Sequence, residues 1–246
     1  MKILSVKIDS LSFQEAVRYA DILIRNKKSA YIVTLNPEII MAAKKDNELK
    51  RIINHADLVT PDGFGLMLAA KFLGTPLKER LTGVDLTWGL IKLAEDRGYS
   101  VFLLGGAHGV AKKAAQNIKR VHPNLKIVGI SAADPGDKGL IDTIGKAKPD
   151  ILFVAYGAPK QEKFIYKLIH SSHSDLGFRI SDLPKLSVGV GGTFDYIAGF
   201  VPYAPVWIRK LGLEWLYRLL TQPKRLNRII TATIRFPWGV LRSKYK

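Results

Sequence analysis

The chain has 246 residues, 47% of them hydrophobic and 24% charged, which is enough for one large domain or for a domain with an appendage. It has no cysteine, which excludes disulfides and thiolate metal sites, and no apolar run of about 18 residues that could span a bilayer. The first residues lack the pattern of a signal peptide. The net charge of +17 implies anionic partners: nucleic acid, an anionic membrane surface or phosphorylated substrates.

Hydrophobic periodicity predicts short strands that alternate with amphipathic helices along most of the chain. The first helix begins at a capping box, in which Ser12 and Glu15 each bind the other's backbone N–H. The second follows the N-cap residue Asn36, with Pro37 at the first helical position. The predicted strands are residues 2–8, 30–33, 56–59, 100–104, 126–130, 150–155 and 186–190. Further helices are predicted at residues 48–54, 64–73, 84–97, about 111–118 and 140–147, and another follows the turn at residues 157–161 and runs to about residue 169.

This alternation predicts an α/β fold in residues 1–202: a Rossmann-like, mainly parallel sheet with helices on both faces. Right-handed crossovers bring the turns that follow the strands to one edge of the sheet, where ligands bind. The polar segment 171–184 predicts a mobile surface loop. Five strand-to-helix turns are expected to converge at the ligand-binding edge, namely residues 34–36, 60–63, 105–109, 157–161 and 191–195.

Residues 203–246, called the tail below, are predicted to form a basic amphipathic helical appendage. The tail has ten basic residues and one acid, Glu214, so more than half of the excess positive charge lies there. Basic residues beside tryptophan and leucine suit a helix at a membrane interface, where each is worth about 1 kcal/mol near an anionic leaflet. The alternative is a core-packing helix pair with a solvated basic face. A second tail helix is predicted from Pro223, and the apolar stripe of the first consists of Trp207, Leu211, Trp215 and Leu219.

Two of the turns contain paired glycines, Gly105 with Gly106 and Gly191 with Gly192. Glycine lets backbone amides approach a phosphate at a helix N-terminus, so both pairs are candidate substrate-binding positions. A tight connection also requires glycine, and neither G-x-G-x-x-G nor a Walker sequence is present. Asp195 either accepts hydrogen bonds from a ribose or a base, or caps the following turn.

Asp62 follows a short apolar run and precedes a helix, so it either stands at the rim of a cleft or serves as a turn former or N-cap. The five histidines lack the spacing of metal ligands. The paired acids with which many sugar-nucleotide transferases hold a divalent ion are absent from the turns. We therefore expect a reaction without metal or cofactor, in which arginine or lysine neutralises a leaving diphosphate.

Taken together, these segments resemble the bacterial TagA/WecG/CpsF glycosyltransferases, and most closely the TagA type. Two stretches are highly specific in combination: residues 157–162 (Gly-Ala-Pro-Lys-Gln-Glu) and residues 212–215 (Gly-Leu-Glu-Trp). The TagA type adds N-acetylmannosamine to polyprenyl-diphosphate-linked N-acetylglucosamine in wall teichoic acid assembly. The matching blocks cover nearly the whole chain in order, at residues 34–38, 60–63, 79–85, 104–106, 154–162, 189–195 and 212–218.

The resemblance implies an inverting, metal-independent transfer from a UDP-sugar, with Asp62 as the general base that takes the acceptor's hydroxyl proton. It also implies that the C-terminal arginines close over the diphosphate when the tail meets the membrane. Those arginines match Arg218, Arg225 and Arg228. The positions implicated around the donor are Thr34, Asn36, Arg80, Gln161 and, at the nucleotide end, Asp195.

Two other function classes remain as alternatives at this point. A dinucleotide-dependent oxidoreductase would need G-x-G-x-x-G and an acid after the second strand, where the sequence has Thr34, Leu35 and Asn36. A nucleic-acid-binding protein would interleave basic residues with exposed aromatics on one face, whereas the charge here lies on amphipathic tail helices.

The expected partners are a UDP-sugar donor, a lipid-linked diphosphate acceptor and an anionic membrane surface, but not nucleic acid. A second copy of the chain is a further candidate partner for the apolar stripe of the tail. The expected location is cytoplasmic, peripheral on the inner face of the cell membrane.

Overall fold

A computed structural model describes residues 1–26, 28–170, 182–205, 208, 211, 213–221 and 226–244 of the chain. In this part of the chain, a six-stranded sheet has the order β4-β3-β8-β7-β5-β6, and all of its neighbouring strands are parallel. The strands are β1 (Lys2–Ile3), β2 (Val6–Lys7), β3 (Ala30–Leu35), β4 (Leu58–Pro61), β5 (Ser100–Gly105), β6 (Lys126–Ser131), β7 (Ile151–Ala155) and β8 (Leu186–Gly189).

Helices cover both faces of the sheet, as the alternating pattern predicts. A first core lies between the sheet and α2, α3, α4 and α8, and a second lies between the opposite face and α1, α5, α6 and α9. The helices are α1 (Phe13–Arg25), α2 (Pro37–Ala43), α3 (Asn47–His55), α4 (Phe64–Phe72), α5 (Gly83–Arg97), α6 (Val110–Val121), α7 (Leu140–Ala147), α8 (Lys160–His170), α9 (Thr193–Ala198), α10 (Glu214–Thr221), α11 (Leu226–Ile230) and α12 (Phe236–Lys244), with a π-helical turn at Thr231–Arg235.

The predicted helix starts in the first third of the chain are confirmed in detail. The Ser12 N–H donates to Glu15 Oε2 at 2.8 Å, and the Glu15 N–H donates to Ser12 Oγ at 3.3 Å, which completes the capping box of α1. Asn36 Oδ1 accepts from the Ile39 N–H at 3.0 Å, and Pro37 begins α2. Asn36 and Pro37 directly follow the last residue of β3 and begin α2. Their side chains therefore lie at the carboxyl ends of the strands.

The N-terminus differs from the prediction of one strand over residues 2–8. Leu4 and Ser5 have positive φ values of 49° and 68°, and they turn the chain between β1 and β2. These strands pair with each other and lie outside the six-stranded sheet. The single-strand prediction is wrong because alternating apolar residues do not reveal a two-residue turn between them.

The order of the strands creates a crevice between β3 and β8. Helix α2, which follows β3, packs into the first core, whereas α9, which follows β8, packs into the second. The chain therefore leaves β3 toward one face of the sheet and leaves β8 toward the other. The turns after these two adjacent strands diverge, and a crevice opens between them at the carboxyl ends of the strands. Ligands of open α/β sheets bind at such a switch point.

The last part of the tail packs on the sheet domain. Phe236 and Val240 of α12 are 1% and 3% exposed, and both belong to the first core. A Cβ added at Gly239 would lie 3.3 Å from Leu4 Cδ1, so α12 also approaches the N-terminal hairpin closely. The boundary between residues 202 and 203 stays a prediction, and residues 171–181 of the predicted loop lie outside the described part of the chain. Within the described ranges, no helix is both long enough and apolar enough to cross a membrane.

Candidate active site

The crevice contains a cavity of about 140 Å³, called the first cavity. The ends of β3, β4, β7 and β8, the start of α5 and one residue of α11 line it. Most of the predicted site residues therefore meet at one place, as the convergence of the turns implied. The predicted residues that line the first cavity are Thr34, Asn36, Asp62, Arg80, Gln161, Gly191, Gly192 and Arg228.

Asp62 is held by β3 and by the start of α5. Its backbone N–H donates to the Leu35 carbonyl at 2.7 Å, and its Oδ2 accepts from the Gly83 N–H at 3.0 Å. Gly83 is the first residue of α5, which begins after the N-cap Thr82. The partial positive charge at the start of a helix favours a carboxylate at this position. Asp62 is therefore a fixed carboxylate in the cavity wall, and it does not cap its own helix, α4, because Gly63 is the N-cap there.

Two threonine hydroxyls lie close to the Asp62 carboxylate. A Cβ added at Gly83 would lie 3.4 Å from Thr193 Oγ1 and 3.5 Å from both Asp62 Oδ2 and Thr34 Oγ1, so the three oxygens surround this position. Thr34 Oγ1 donates to the Gly189 carbonyl at 2.9 Å, and Thr193 Oγ1 donates to the Val190 carbonyl at 2.6 Å. Since these bonds use the hydroxyl hydrogens, both threonines present lone pairs, and a bound hydroxyl or amide can donate to them.

The side chain of Gln161 links the turns after β7 and β8 through hydrogen bonds. Its Oε1 accepts from the Gly157 N–H at 3.1 Å and from the Gly191 N–H at 2.9 Å. Its Nε2 donates to Glu162 Oε1 at 2.8 Å and lies so close to Gly189 that an added Cβ there would be 2.7 Å away. The amide orientation is therefore fixed by the backbone of both turns and by Glu162.

Glu162, which fixes that orientation, is a buried acid. It is 1% exposed, and its Oε2 has no hydrogen-bond partner within the described part of the chain. Burial raises the pKa of Glu162 from 4.5 to about 7, although the hydrogen bond from Gln161 lowers it in part. The native state therefore holds a proton on Glu162 at pH values at which the unfolded chain has lost it.

We expect the free energy of unfolding to fall between about pH 4.5 and pH 7 because of Glu162. In this interval the native state binds more protons than the unfolded state, so a rise in pH favours unfolding, by about 2–3 kcal/mol in total. Glu162→Gln removes the titration and keeps an acceptor for Gln161. In urea unfolding at pH 5, 6, 7 and 8, the stability of the variant relative to wild type should increase with pH. Parallel curves for the two proteins would contradict this assignment.

Arg228 brings a tail cation to the cavity. Its Nε donates to Glu38 Oε2 at 2.5 Å, and Glu38 lies in the first turn of α2, two residues after the Asn36 cap. Arg80 lines the same cavity from the segment before α5. Two guanidinium groups are thus placed where an anionic group could bind. Arg225 and the side chain of Arg218 lie outside the described residues, so their predicted roles stay predictions.

The whole chain, residues 1–246, matches the family model described as the glycosyl transferase WecG/TagA/CpsF family. The chain belongs to this family. It is therefore a glycosyltransferase, and the oxidoreductase and nucleic-acid-binding alternatives are not supported.

Three curated relatives of this glycosyltransferase carry the name N-acetylglucosaminyldiphosphoundecaprenol N-acetyl-beta-D-mannosaminyltransferase. The protein of Bacillus spizizenii is 36% identical over 206 residues, which span 83% of this chain and 76% of the relative. That of Bacillus subtilis (strain 168) is 36% identical over 210 residues, spanning 85% and 78%. That of Staphylococcus aureus (strain MRSA252) is 31% identical over 247 residues, spanning 99% and 93%.

Some predicted positions of this glycosyltransferase lie away from the first cavity. Gly105 and Gly106 do not line it, and a Cβ on Gly105 would lie 3.0 Å from the Ala155 carbonyl carbon. Both residues have positive φ, and the Gly106 N–H donates to the Ala155 carbonyl at 3.1 Å, which fits the tight-connection alternative. Asp195 is in the first turn of α9 but is not part of the cavity lining either. Substrate contacts by these three residues stay predictions.

Sequence reasoning missed several polar residues of the cavity. Thr193 directly follows the glycine pair of the β8 turn, and that proximity was the available signal. Tyr196 and Tyr203, whose ring centroids are 5.1 Å apart, meet only because α9 ends and the chain turns back. The missed residues are Thr82, Asp85, Thr193, Tyr196 and Tyr203.

A second cavity of about 410 Å³ lies between α4 and the tail. Phe64, Gly65 and Leu68 of α4 form one wall. The tail wall consists of Trp215, Ile229, Ala232, Thr233 and Pro237. Asn36, Asp62 and Arg80 line both cavities, so Asp62 stands at their junction.

Proposed function

We propose that this glycosyltransferase moves N-acetylmannosamine from a UDP-sugar to polyprenyl-diphosphate-linked N-acetylglucosamine. The names of the relatives support this choice of sugar and acceptor. The observation that carries the mechanism is the position of Asp62, a fixed carboxylate at the junction of two cavities beside Arg80.

In the proposed reaction the donor occupies the first cavity and the acceptor hydroxyl approaches Asp62. Asp62 takes the hydroxyl proton while the oxygen forms a bond to the anomeric carbon of the donor sugar. The bond from that carbon to the diphosphate breaks on the opposite side, so the configuration inverts and UDP leaves with the electron pair. Arg228 balances the charge that develops on the diphosphate of the leaving UDP.

The proposal includes a reaction without metal or cofactor, because the guanidinium of Arg228 lines the first cavity and can neutralise the diphosphate in place of a divalent ion. It also places the protein at the cytoplasmic face of the membrane, where the exposed apolar and basic residues of the tail would bind anionic lipid.

A donor screen tests the function. UDP release is followed with UDP-N-acetylmannosamine, its uronic acid and UDP-glucose, with and without a lipid-diphosphate N-acetylglucosamine acceptor. We expect release that depends on the acceptor with UDP-N-acetylmannosamine, unchanged in the presence of EDTA. Acceptor-dependent release with only another donor would reject the sugar assignment, and complete inhibition by EDTA would reject the metal-independent mechanism.

A further inference from the structure

Helix α4 carries an exposed apolar row that the sheet domain does not use in its cores. Phe64, Leu68 and Phe72 are 39%, 55% and 41% exposed and follow one another at intervals of four residues, so they lie on one side of the helix. Leu66, Ala69 and Ala70 face the first core instead. The exposed row is therefore additional to what the fold requires.

Phe64 and Leu68 of this row form one wall of the second cavity, and the tail forms the other. Phe64 and Leu68 lie opposite Trp215, Ile229 and Pro237. The inner end is polar, because Asn36, Asp62 and Arg80 line it, and Glu38, the other acid of the lining, is paired with Arg228. The result is a groove with a carboxylate and a guanidinium at its inner end and apolar walls along its length.

The outer part of the groove is apolar with basic neighbours. Lys244 Nζ lies 4.1 Å from the centroid of the Phe72 ring and donates to the Phe72 carbonyl at 2.9 Å, so α12 brings a cation to the outer end of the row. Trp238 and Leu241 of the same helix are 61% and 39% exposed. Basic residues next to exposed apolar ones match the surface of an anionic bilayer.

We propose that the second cavity binds the diphosphate-proximal part of the acceptor's polyprenyl chain, so that the acceptor reaches Asp62 along α4. This inference rests on the proposed function and specifies how its acceptor binds. A prenyl diphosphate has the polarity of the groove: an apolar chain for the α4 and tail walls, and an anionic head for Arg80 at the junction. Its chain would leave the protein next to the basic, apolar surface of α12, where the bilayer holds the rest of the lipid.

The test uses Leu68→Ser in the full-length protein, because Leu68 is exposed and its replacement leaves the cores intact. Val121→Ser is the matched control: Val121 is 64% exposed at the end of α6, on the opposite side of the sheet. Transfer is measured with two N-acetylglucosamine diphosphate acceptors in detergent micelles, one with a long polyprenyl chain and one with a short alkyl chain. Binding is measured separately with a fluorescent prenyl diphosphate that carries no sugar.

We expect Leu68→Ser to raise the KM for the long-chain acceptor and the Kd of the prenyl diphosphate about tenfold, since burial of an apolar side chain is lost. The KM for the short-chain acceptor and for the donor should stay within twofold of wild type, and Val121→Ser should match wild type throughout. Equal effects on both acceptors, or unchanged prenyl diphosphate binding, would reject the proposal. A change in oligomeric mass of Leu68→Ser without a change in prenyl diphosphate binding would show instead that a second copy of the chain covers the groove.

The two proposals can fail separately. If wild type binds prenyl diphosphate and Leu68→Ser weakens that binding, but no donor yields transfer, the groove stands and the proposed function is wrong. If wild type transfers the sugar and Leu68→Ser does so with an unchanged KM, the function stands and the groove is wrong.

Discussion

Asp62→Asn is expected to lower kcat about 10²- to 10⁴-fold, the usual contribution of a general base, while the affinity for UDP stays unchanged. The asparagine oxygen can still accept the Gly83 N–H bond that now holds Asp62 Oδ2, so the wall of the cavity keeps its shape. The substitution removes the basicity of the side chain and little else. Single-turnover transfer with saturating donor measures the loss, and UDP titration measures the retained binding.

Asp85→Asn provides the control for this experiment. Asp85 is the other carboxylate among the residues that line the first cavity, and its Oδ2 accepts from Thr82 Oγ1 at 2.6 Å. We expect less than a tenfold loss of kcat, because the neutral amide can still accept that bond. A loss in Asp85→Asn as large as in Asp62→Asn would mean that the acceptor is deprotonated elsewhere. Normal turnover in Asp62→Asn would have the same meaning.

Arg228→Gln is expected to lower kcat about 10²- to 10³-fold, with a smaller loss for Arg228→Lys, if the guanidinium balances charge on the leaving diphosphate. Arg228 also joins the tail to α2 through Glu38, so the substitution removes two interactions at once. The lysine variant retains the positive charge but not the two-pronged geometry of the guanidinium. Steady-state transfer gives kcat, and the release rate of UDP in the absence of acceptor reports on the donor alone.

Glu38→Gln separates the two roles of Arg228. It breaks the ion pair and leaves the arginine in place, so a structural role predicts the same loss as in Arg228→Gln. A role in catalysis predicts activity at or above wild type, because the competing carboxylate is gone. If Glu38→Gln reproduces the full loss, Arg228 acts by holding the tail. Truncation at residue 203 would not distinguish these roles, since it also exposes the core surface that Phe236 and Val240 cover.

The parallel sheet could be predicted because each local signal agrees with the global fold. Residues 34–37 show this best. The end of a buried strand, an N-cap asparagine and a proline all predict a strand that passes directly into a helix. In the structure β3 ends at Leu35 and α2 starts at Pro37. The same logic placed Asp62 at the sheet edge. Its contact with Gly83 was not predictable, because it joins residues that only the crossover from β4 to α5 brings together.

The failures have equally local causes. A glycine pair indicates that a side chain is not tolerated, but it does not show whether a ligand or another part of the chain is the cause. At Gly105 the cause is the backbone of the neighbouring strand β7. Glu162, at the start of a helix beside Gln161, has the sequence pattern of a solvated acid. Its burial follows from the packing of α8 over β8, where Gln161 lies against Gly189. Interactions of this kind depend on the distance between elements, and sequence periodicity does not contain that distance.

The burial of Phe236 and Val240 also limits how far Arg228 can move. Arg228 belongs to the helical stretch from Leu226 to Lys244, whose far end these two residues anchor in the first core. The helix therefore holds Arg228 at the first cavity, so in the proposed reaction the diphosphate displaces only the Glu38 carboxylate and the helix itself needs no reorganisation. We therefore expect core residues more than one helical turn away from the first cavity to contribute to catalysis by preorganisation. Mutations that loosen α12 should slow transfer even where they leave every residue of the cavity unchanged.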